Sequence, residues 1–276
     1  MGTLTLGYLT CFGASQVEFV EAAAAARFDA VGLRVEARRA GDTFAHSIVG
    51  NPQRLREVRQ RLADLGVALS NVIGRSLETD TTDDELRRLV DAAATLGSRQ
   101  LLVNGHDDDE SRLVANLAAL AAHAREAGMK VGVEFVPFHS IRSLPQALRL
   151  VTATGADNAG IVFDPLHLSR SGGLAQDVAA IPASLIGWAQ LCDAPAAVPS
   201  TLELRLAESR GGRLYPGEGG LPLHEFLDVL PPGCEIEVEV ASTADEALSA
   251  RQRAAKVRDA LDRFLAAHAA AKRSPG

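Results

Sequence analysis

Lysine is scarce in this chain. Of its 28 basic residues only Lys130, Lys256 and Lys272 are lysines; all the others are arginines. Arginine keeps its charge and is no ordinary Schiff-base nucleophile, so lysine-dependent covalent chemistry has three candidates at most. Cys11, Cys192 and Cys234 are too few and too scattered for a disulfide framework or a zinc finger. No run of ~18 apolar residues could span a bilayer, and the N-terminus lacks the basic flank of a signal peptide. Leu6 stands where a myristoylation signal needs Ser or Thr. Positive charge is not in surplus either: 35 acidic residues against 28 basic ones give a net charge of −7, which argues against non-specific nucleic-acid binding. The expectation is a cytoplasmic protein whose partners are small molecules, with no nucleic acid and no membrane among them.

What is present is periodicity. At 47% hydrophobic residues the chain can fill a core, and 276 residues suit one α/β barrel of ~250. Eight short apolar runs read as strands: Leu4–Leu9, Ala30–Val35, Val67–Ile73, Gln100–Val103, Val131–Val136, Gly160–Phe163, Leu185–Leu191 and Ile236–Val240. Between them apolar residues recur at three- and four-residue steps, as in Leu55, Val58, Leu62 and Leu65, the pattern of one buried helical face. Asn51-Pro52 reads as an N-cap followed by proline at the first helical position. Gly66, Gly97, Gly128 and Gly155 stand where left-handed C-caps belong. Eight such units predict a single-domain α/β protein, a (β/α)8 TIM barrel over residues 1–265, with 266–276 as a frayed or disordered tail. A doubly wound open sheet is the alternative, but neither GxGxxG nor GxxxxGK[ST] is present to support a nucleotide-binding version. The one long interruption, Asp193 to Leu221, is rich in Gly and Pro and reads as a functional loop. The apolar face of the last helix can pack on the barrel or on a second copy in a homo-oligomer.

In a parallel barrel the chemistry lies at the C-terminal ends of the strands. Four consecutive runs place an oxygen donor there: Glu134 in VGVEFVPF, Asp164 in GIVFDPLH, Gln190 in GWAQLCDA and Glu239 in EIEVEVAS. Acids after strands are often caps or solvated loop residues, which accounts for Asp29, Asp107–Asp109 and Asp193. It does not account for Glu134 or Glu239, each flanked by apolar residues, because a buried carboxylate needs a cation or hydrogen bonds. Either each acid is satisfied separately or all share one divalent cation. Three carboxylates and an amide oxygen form a hard donor set suited to Mn, Mg or Co. Cys192 is expected to be a packed thiol turned away from Gln190. His167, one turn past Asp164, is the strongest histidine candidate; His46, His106 and His139 follow other strands at the same rim, while His123 and His224 read as surface residues. Rim arginines able to grip an anionic substrate are Arg34, Arg142, Arg170, Arg205, Arg210 and Arg213, the last foremost. Lys130 precedes strand five at the far end of the barrel and the other lysines follow every strand, so a Schiff-base aldolase is excluded.

The strings VEFVPF, FDPLHLSRSGG, QLCDAP, RLYPGEGGLPL and VEVAS, in this order, resemble the sugar phosphate isomerase/epimerase family with its xylose-isomerase-like TIM barrel. The resemblance spans nearly the whole chain. It implies that Glu134, Asp164, Gln190 and Glu239 bind one divalent metal, that His167 is the histidine of a D-x-x-H motif, and that Arg213 and Glu218 face the substrate. It also implies proton transfer by Glu134 and Glu239 beside a metal-polarised carbonyl, through an enediolate, with His167 as a further acid–base group. Arg34 and His106 complete the expected substrate contacts. The leading expectation is an isomerase or epimerase of a keto sugar or related polyol. Gln190 stands where epimerases commonly have His, and members that dehydrate 3-dehydroshikimate are more similar there. A metal-dependent dehydratase of a cyclic keto substrate, such as 3-dehydroshikimate or an inosose, is therefore the alternative. Endonuclease IV-like relatives need a His-rich multi-zinc site that this sequence does not offer. A non-catalytic sugar-binding protein would have dispensed with one of the two glutamates.

Overall fold

The computed structural model describes residues 2–273. Its eight barrel strands are β1 (Leu4–Leu6), β2 (Ala30–Arg34), β3 (Ala68–Ile73), β4 (Gln100–Val103), β5 (Lys130–Glu134), β6 (Ala159–Phe163), β7 (Ile186–Leu191) and β8 (Ile236–Val238). All pairings are parallel, and β1 pairs with β8 through Leu4–Ile236 and Leu6–Val238, closing the sheet on itself. The expected (β/α)8 barrel is therefore the observed fold, with each strand inside or within a residue of its apolar run. An open doubly wound sheet is ruled out by the closure. A two-residue parallel pair, Leu77–Glu78 with Gly105–His106, extends the rim above β3 and β4.

Ten α-helices lie among the described residues: α1 (Gln16–Ala25), α2 (Pro52–Leu65), α3 (Asp83–Leu96), α4 (Glu110–Glu126), α5 (Leu144–Ala153), α6 (Pro165–Arg170), α7 (Ala175–Ala179), α8 (Leu202–Gly211), α9 (Leu223–Val229) and α10 (Ala250–Arg273). Their boundaries follow local chemistry. Asn51 caps α2 by accepting from Arg54 N, with Pro52 behind it, and Gly66 ends the helix at φ +64°, a conformation that costs a Cβ-bearing residue more. Their inner faces bury Leu55, Val58 and Leu62, then Leu86, Leu89 and Leu96, against the outside of the barrel. The last helix packs along α1 through Val257, Leu261 and Phe264, so its apolar face is used within the chain. It runs unbroken across positions 266–273, which the sequence reading set apart as a tail; 274–276 lie outside the described residues. His123 is a second departure: it is buried on α4 and bonds Asp83 at 2.7 Å.

Inside the barrel the packing is polar as well as apolar. Trp188, Val162, Leu102, Ile73 and Tyr8 form the apolar part, and Gly132 makes the room, since a Cβ there would lie 2.3 Å from the Trp188 ring. The other part is a column of glutamates spaced two residues apart at β8, so that each faces the same way. Glu235 accepts from Thr5, Ser70 and Gln100; Glu237 accepts from Asn71 (3.1 Å) and Trp188 (2.8 Å); Glu239 tops the column.

Candidate active site

The interruption between β7 and β8 is more ordered than its Gly and Pro content suggested. It contains α8, capped by Thr201, whose side chain accepts from Leu204 N. Asp193, read from sequence as a cap or solvated acid, is buried and organises the segment: its carboxylate accepts from the backbone N–H of Ala194, Gly217, Gly219 and Leu221 at 2.8–3.0 Å. Only glycine fits at 219, where a Cβ would stand 2.4 Å from Asp193 Oδ1. This folding turns Glu218 outward. It is exposed beside Arg263 (3.6 Å) and does not line the cavity, so the substrate contact expected of it has no geometric support.

The same segment delivers Arg213 to the floor of a cavity of about 680 Å³ at the C-terminal mouth of the barrel. Glu134 ends β5, Gln190 lies in β7 and Glu239 follows β8; all three line that cavity with His167. Asp164, behind them, follows β6 and caps α6, accepting from Leu166 N at 2.7 Å. The strand ends thus place all four residues of the expected metal set at the same mouth of the barrel, although the cluster whose donor atoms converge is Glu134 and Asp164 with His167 rather than with Glu239. Arg213 does not reach out as a free substrate contact. Its Nη1 bonds Asp164 Oδ2 at 2.7 Å and the Glu239 carbonyl at 3.2 Å, while Nε donates to the Ser209 carbonyl. Cys192 is also at the site, its Sγ 3.4 Å from Arg213 Nη1 and 3.8 Å from Asp164 Oδ1. Residues two apart on a strand share a face, so Gln190 and Cys192 point the same way, contrary to the sequence expectation.

Glu134, Asp164 and His167 offer ligand atoms within 4.8 Å of one another. Burial, and then the charges of Glu239 and Asp164, push the Glu134 carboxyl up to about 7. Burial raises Glu239 as well, against the pull of Arg213. Burial opposes the Asp164 carboxylate too, but there Arg213 and His167 prevail and its pKa is lowered. His167 is brought down to about 4 by burial despite Asp164, so its imidazole is neutral near pH 7. One observation tests whether a cation fits. Gln190 Oε1 is buried with no hydrogen-bond partner, while its Nε2 leans on Glu239 Oε2 at 3.4 Å. An orphan amide oxygen beside three mutually repelling carboxylates is the environment a hard divalent cation relieves.

Of the expected rim contacts, Arg34 and His106 line the cavity. Arg34 is already engaged, stacked 4.4 Å from the Phe44 ring centroid and bonded to the Glu36 carbonyl. Arg170 is claimed by a bidentate pair with Glu208 on α8, and Arg142 and Arg205 by backbone carbonyls. Sequence reasoning passed over Arg38 and Asn104. Asn104 Nδ2 approaches Glu134 Oε2 at 3.4 Å, and its signal was available: it ends the apolar run of β4 as Asp164 ends that of β6. Arg38, four residues past β2, carried no such mark.

A family profile described as xylose isomerase-like TIM barrel matches residues 20–267. The chain belongs to that family. A 3-dehydroshikimate dehydratase of Pseudomonas putida is 29% identical over 254 residues, covering 86% of this chain and 38% of that protein. An inosose isomerase of Halalkalibacterium halodurans is 28% identical over 116 residues, covering 41% of this chain and 39% of that protein. The chain thus covers less than two-fifths of either curated relative. Among solved structures, a xylose isomerase-like TIM barrel/4-hydroxyphenylpyruvate dioxygenase fusion protein superposes with TM-score 0.74 at 24% identity, over 94% of this chain and 42% of that one. The IOLI protein with a bound zinc atom gives 0.79 at 16%, over 96% and 99%. These structural likenesses establish the fold. Within that family fold, the buried Glu134–Asp164–His167 cluster offers donor atoms that could hold a metal ion.

Proposed function

We propose that this protein is a divalent-metal-dependent dehydratase of a cyclic keto acid, with 3-dehydroshikimate as the representative substrate. The observation that carries the reading is the buried His167 set against the carboxylate cluster, its Nε2 3.8 Å from Glu134 and 3.9 Å from Asp164. The 3-dehydroshikimate dehydratase relative supports it. Glu134, Asp164, Gln190 and Glu239 would hold one Mn, Mg or Co ion. When bound, that ion supplies Lewis-acid polarisation of a substrate carbonyl.

The chain's own groups do the proton work. A neutral imidazole can accept the proton from the carbon beside the carbonyl. As imidazolium it can return that proton to the hydroxyl on the next carbon, which leaves as water; the new C=C bond takes the electron pair of the broken C–H bond. Arg213 holds Asp164 ionised and fixed, and Asn104 steadies Glu134. The earlier preference for an isomerase becomes the second reading. It retains a specific support, because Glu134 and Glu239 approach from different strands and could exchange a proton on two faces of one enolate, and one relative is named an inosose isomerase.

Metal-loaded protein given 3-dehydroshikimate in heavy water tests the choice. The dehydratase reading expects a product lighter by one water with new ultraviolet absorbance. His167→Ala should lower turnover at least ~100-fold, the scale of acid–base catalysis, in samples matched to wild type for metal content, since His167 is also among the donors a metal could use. A product of unchanged mass apart from deuterium would establish the isomerase; full turnover by His167→Ala would remove His167 from the mechanism.

A further inference from the structure

Five arginines and no lysine line the cavity. Three are committed: Arg213 to Asp164, Arg39 to Glu78 (3.1 Å), and Arg34 to Phe44 and the Glu36 carbonyl. The other two, Arg38 beyond β2 and Arg210 near the end of α8, form no side-chain hydrogen bond or ion pair with any described residue. Arg38 is half-buried, and a guanidinium withdrawn from water without an anion is costly. These two cations reach the cavity from different segments, and both act electrostatically on a pair of histidines. The rings of His106 and His139 pack with centroids 4.0 Å apart and also line the cavity.

From this geometry we infer that Arg38 and Arg210 form an anion subsite that grips the carboxylate of the ring substrate. The inference rests on the cavity being the substrate site, as proposed above. Guanidinium and carboxylate match as planar forks, so two arginines can take one carboxylate with up to four N–H···O bonds. The imidazoles beneath do not compete for the anion. Burial and the neighbouring arginines lower His106 to about 4; burial, His106 and Arg38 lower His139 to about 2, so both are uncharged near neutrality. They can therefore face ring hydroxyls as ordinary donors and acceptors. Of the acids lining the cavity, Glu134 and Glu239 attract Arg38 through their charge, but neither they nor Asp42 forms an ion pair with Arg38 or Arg210 among the described residues. A neutral sugar would leave both guanidinia without an ion pair. An acid satisfies them.

The test is calorimetric binding to the metal-loaded full chain, with 3,4-dihydroxybenzoate and catechol as probes. They share the adjacent oxygens that can meet the metal and differ by the carboxylate. The wild type should bind the acid at least ~10-fold more tightly than catechol, as expected for charge-assisted bonds to carboxylate. Arg38→Met and Arg210→Met should each bring that ratio close to one while leaving catechol affinity unchanged; thermal melts verify folding. Arg210 is exposed, so its variant keeps the test open if Arg38→Met does not fold. No preference for the acid in the wild type, including failure to bind it, overturns the subsite. So does a ratio retained in the variants. Inorganic phosphate displacing the acid at lower concentration than benzoate would mark a phosphate subsite and overturn the carboxylate assignment. The ratio needs no turnover, so it stands even if 3-dehydroshikimate is not dehydrated, in which case the dehydratase reading fails alone.

Discussion

Replacing Asp193 by alanine should unfold the β7–β8 segment at a cost that can be worked from its hydrogen bonds. The carboxylate is buried and accepts four backbone N–H groups: Ala194 locally, and Gly217, Gly219 and Leu221 across more than twenty residues. Bonds to an ionised acceptor contribute about 1.5–3 kcal/mol each, and a buried donor left without one loses its solvation besides. Gly217 and Gly219 can rehydrate in the variant because they are exposed, whereas Leu221 cannot. The expected loss is therefore about 3–5 kcal/mol rather than the full sum. Asp193→Asn isolates half of it. An asparagine oxygen can replace Oδ1 toward Ala194 and Leu221, but its NH₂ must face the donors of Gly217 and Gly219, so about 1.5–3 kcal/mol is lost. Gly219→Ala clashes with the same carboxylate and should combine with Asp193→Ala less than additively. Urea unfolding with linear extrapolation reads these values. An Asp193→Ala variant within 1 kcal/mol of wild type would refute the anchoring role.

Glu237→Gln tests the centre of the barrel. Burial and Glu239 hold the Glu237 carboxyl well above the usual carboxylate range; its Oε1 and Asn71 Oδ1 are both buried without partners beside Gly32, and a proton on Oε1 would serve both. The folded state then keeps a proton that the unfolded chain releases above pH ~4.5. Metal-free wild type should lose stability relative to Glu237→Gln by about 1.4 kcal/mol per pH unit above that value, and a difference constant from pH 5 to 7 would contradict it. Asp164→Asn should weaken metal binding by removing a charged donor and releasing Arg213. Gln190→His should still bind metal, with preference moved toward Zn or Ni. Elemental analysis after dialysis measures both; unchanged metal content in Asp164→Asn, or none in folded Gln190→His, would remove that residue from the site.

The barrel was legible because its signals are local. Strand runs, the Asn51-Pro52 cap and the glycine stops act over a few residues, and each fixes an element boundary without tertiary help. The floor of the site was legible for a related reason: Glu134 and Glu239 interrupt apolar runs, which marks a carboxylate that burial will force to find a partner. What could not be read depends on long-range geometry. Nothing near Asp193 reveals that its acceptors serve glycines more than twenty residues away, and so nothing foretold that Glu218 would turn outward. Arg213 and Arg38 are both arginines in polar segments; that Arg213 is spent on a carboxylate is decided by the fold bringing the β7–β8 segment to Asp164 after β6. Cys192 differs, since the two-residue strand period was sufficient to place it beside Gln190.

The division between floor and rim has a mechanical basis. Glu134, Gln190 and Glu239 are within or next to strands locked into a closed ladder, and Glu239 is further backed by the Glu235–Glu237 column with its bonds to Thr5, Ser70, Gln100, Asn71 and Trp188. A polar column in a barrel core forfeits apolar burial, and like-charged neighbours make it costlier still. What it gains is orientation: Glu235 and Glu237 are held by donors from other strands, and Glu239 above them is met by Leu9 N and Gln190 Nε2 at 3.4 Å, which restrains it as a proton-transfer or ligand group requires. Arg38 and Arg210, by contrast, come from a connecting segment and a helix outside the ladder. Changing them should alter which anion is held while disturbing the barrel little, whereas changes at the floor should strike chemistry and stability together.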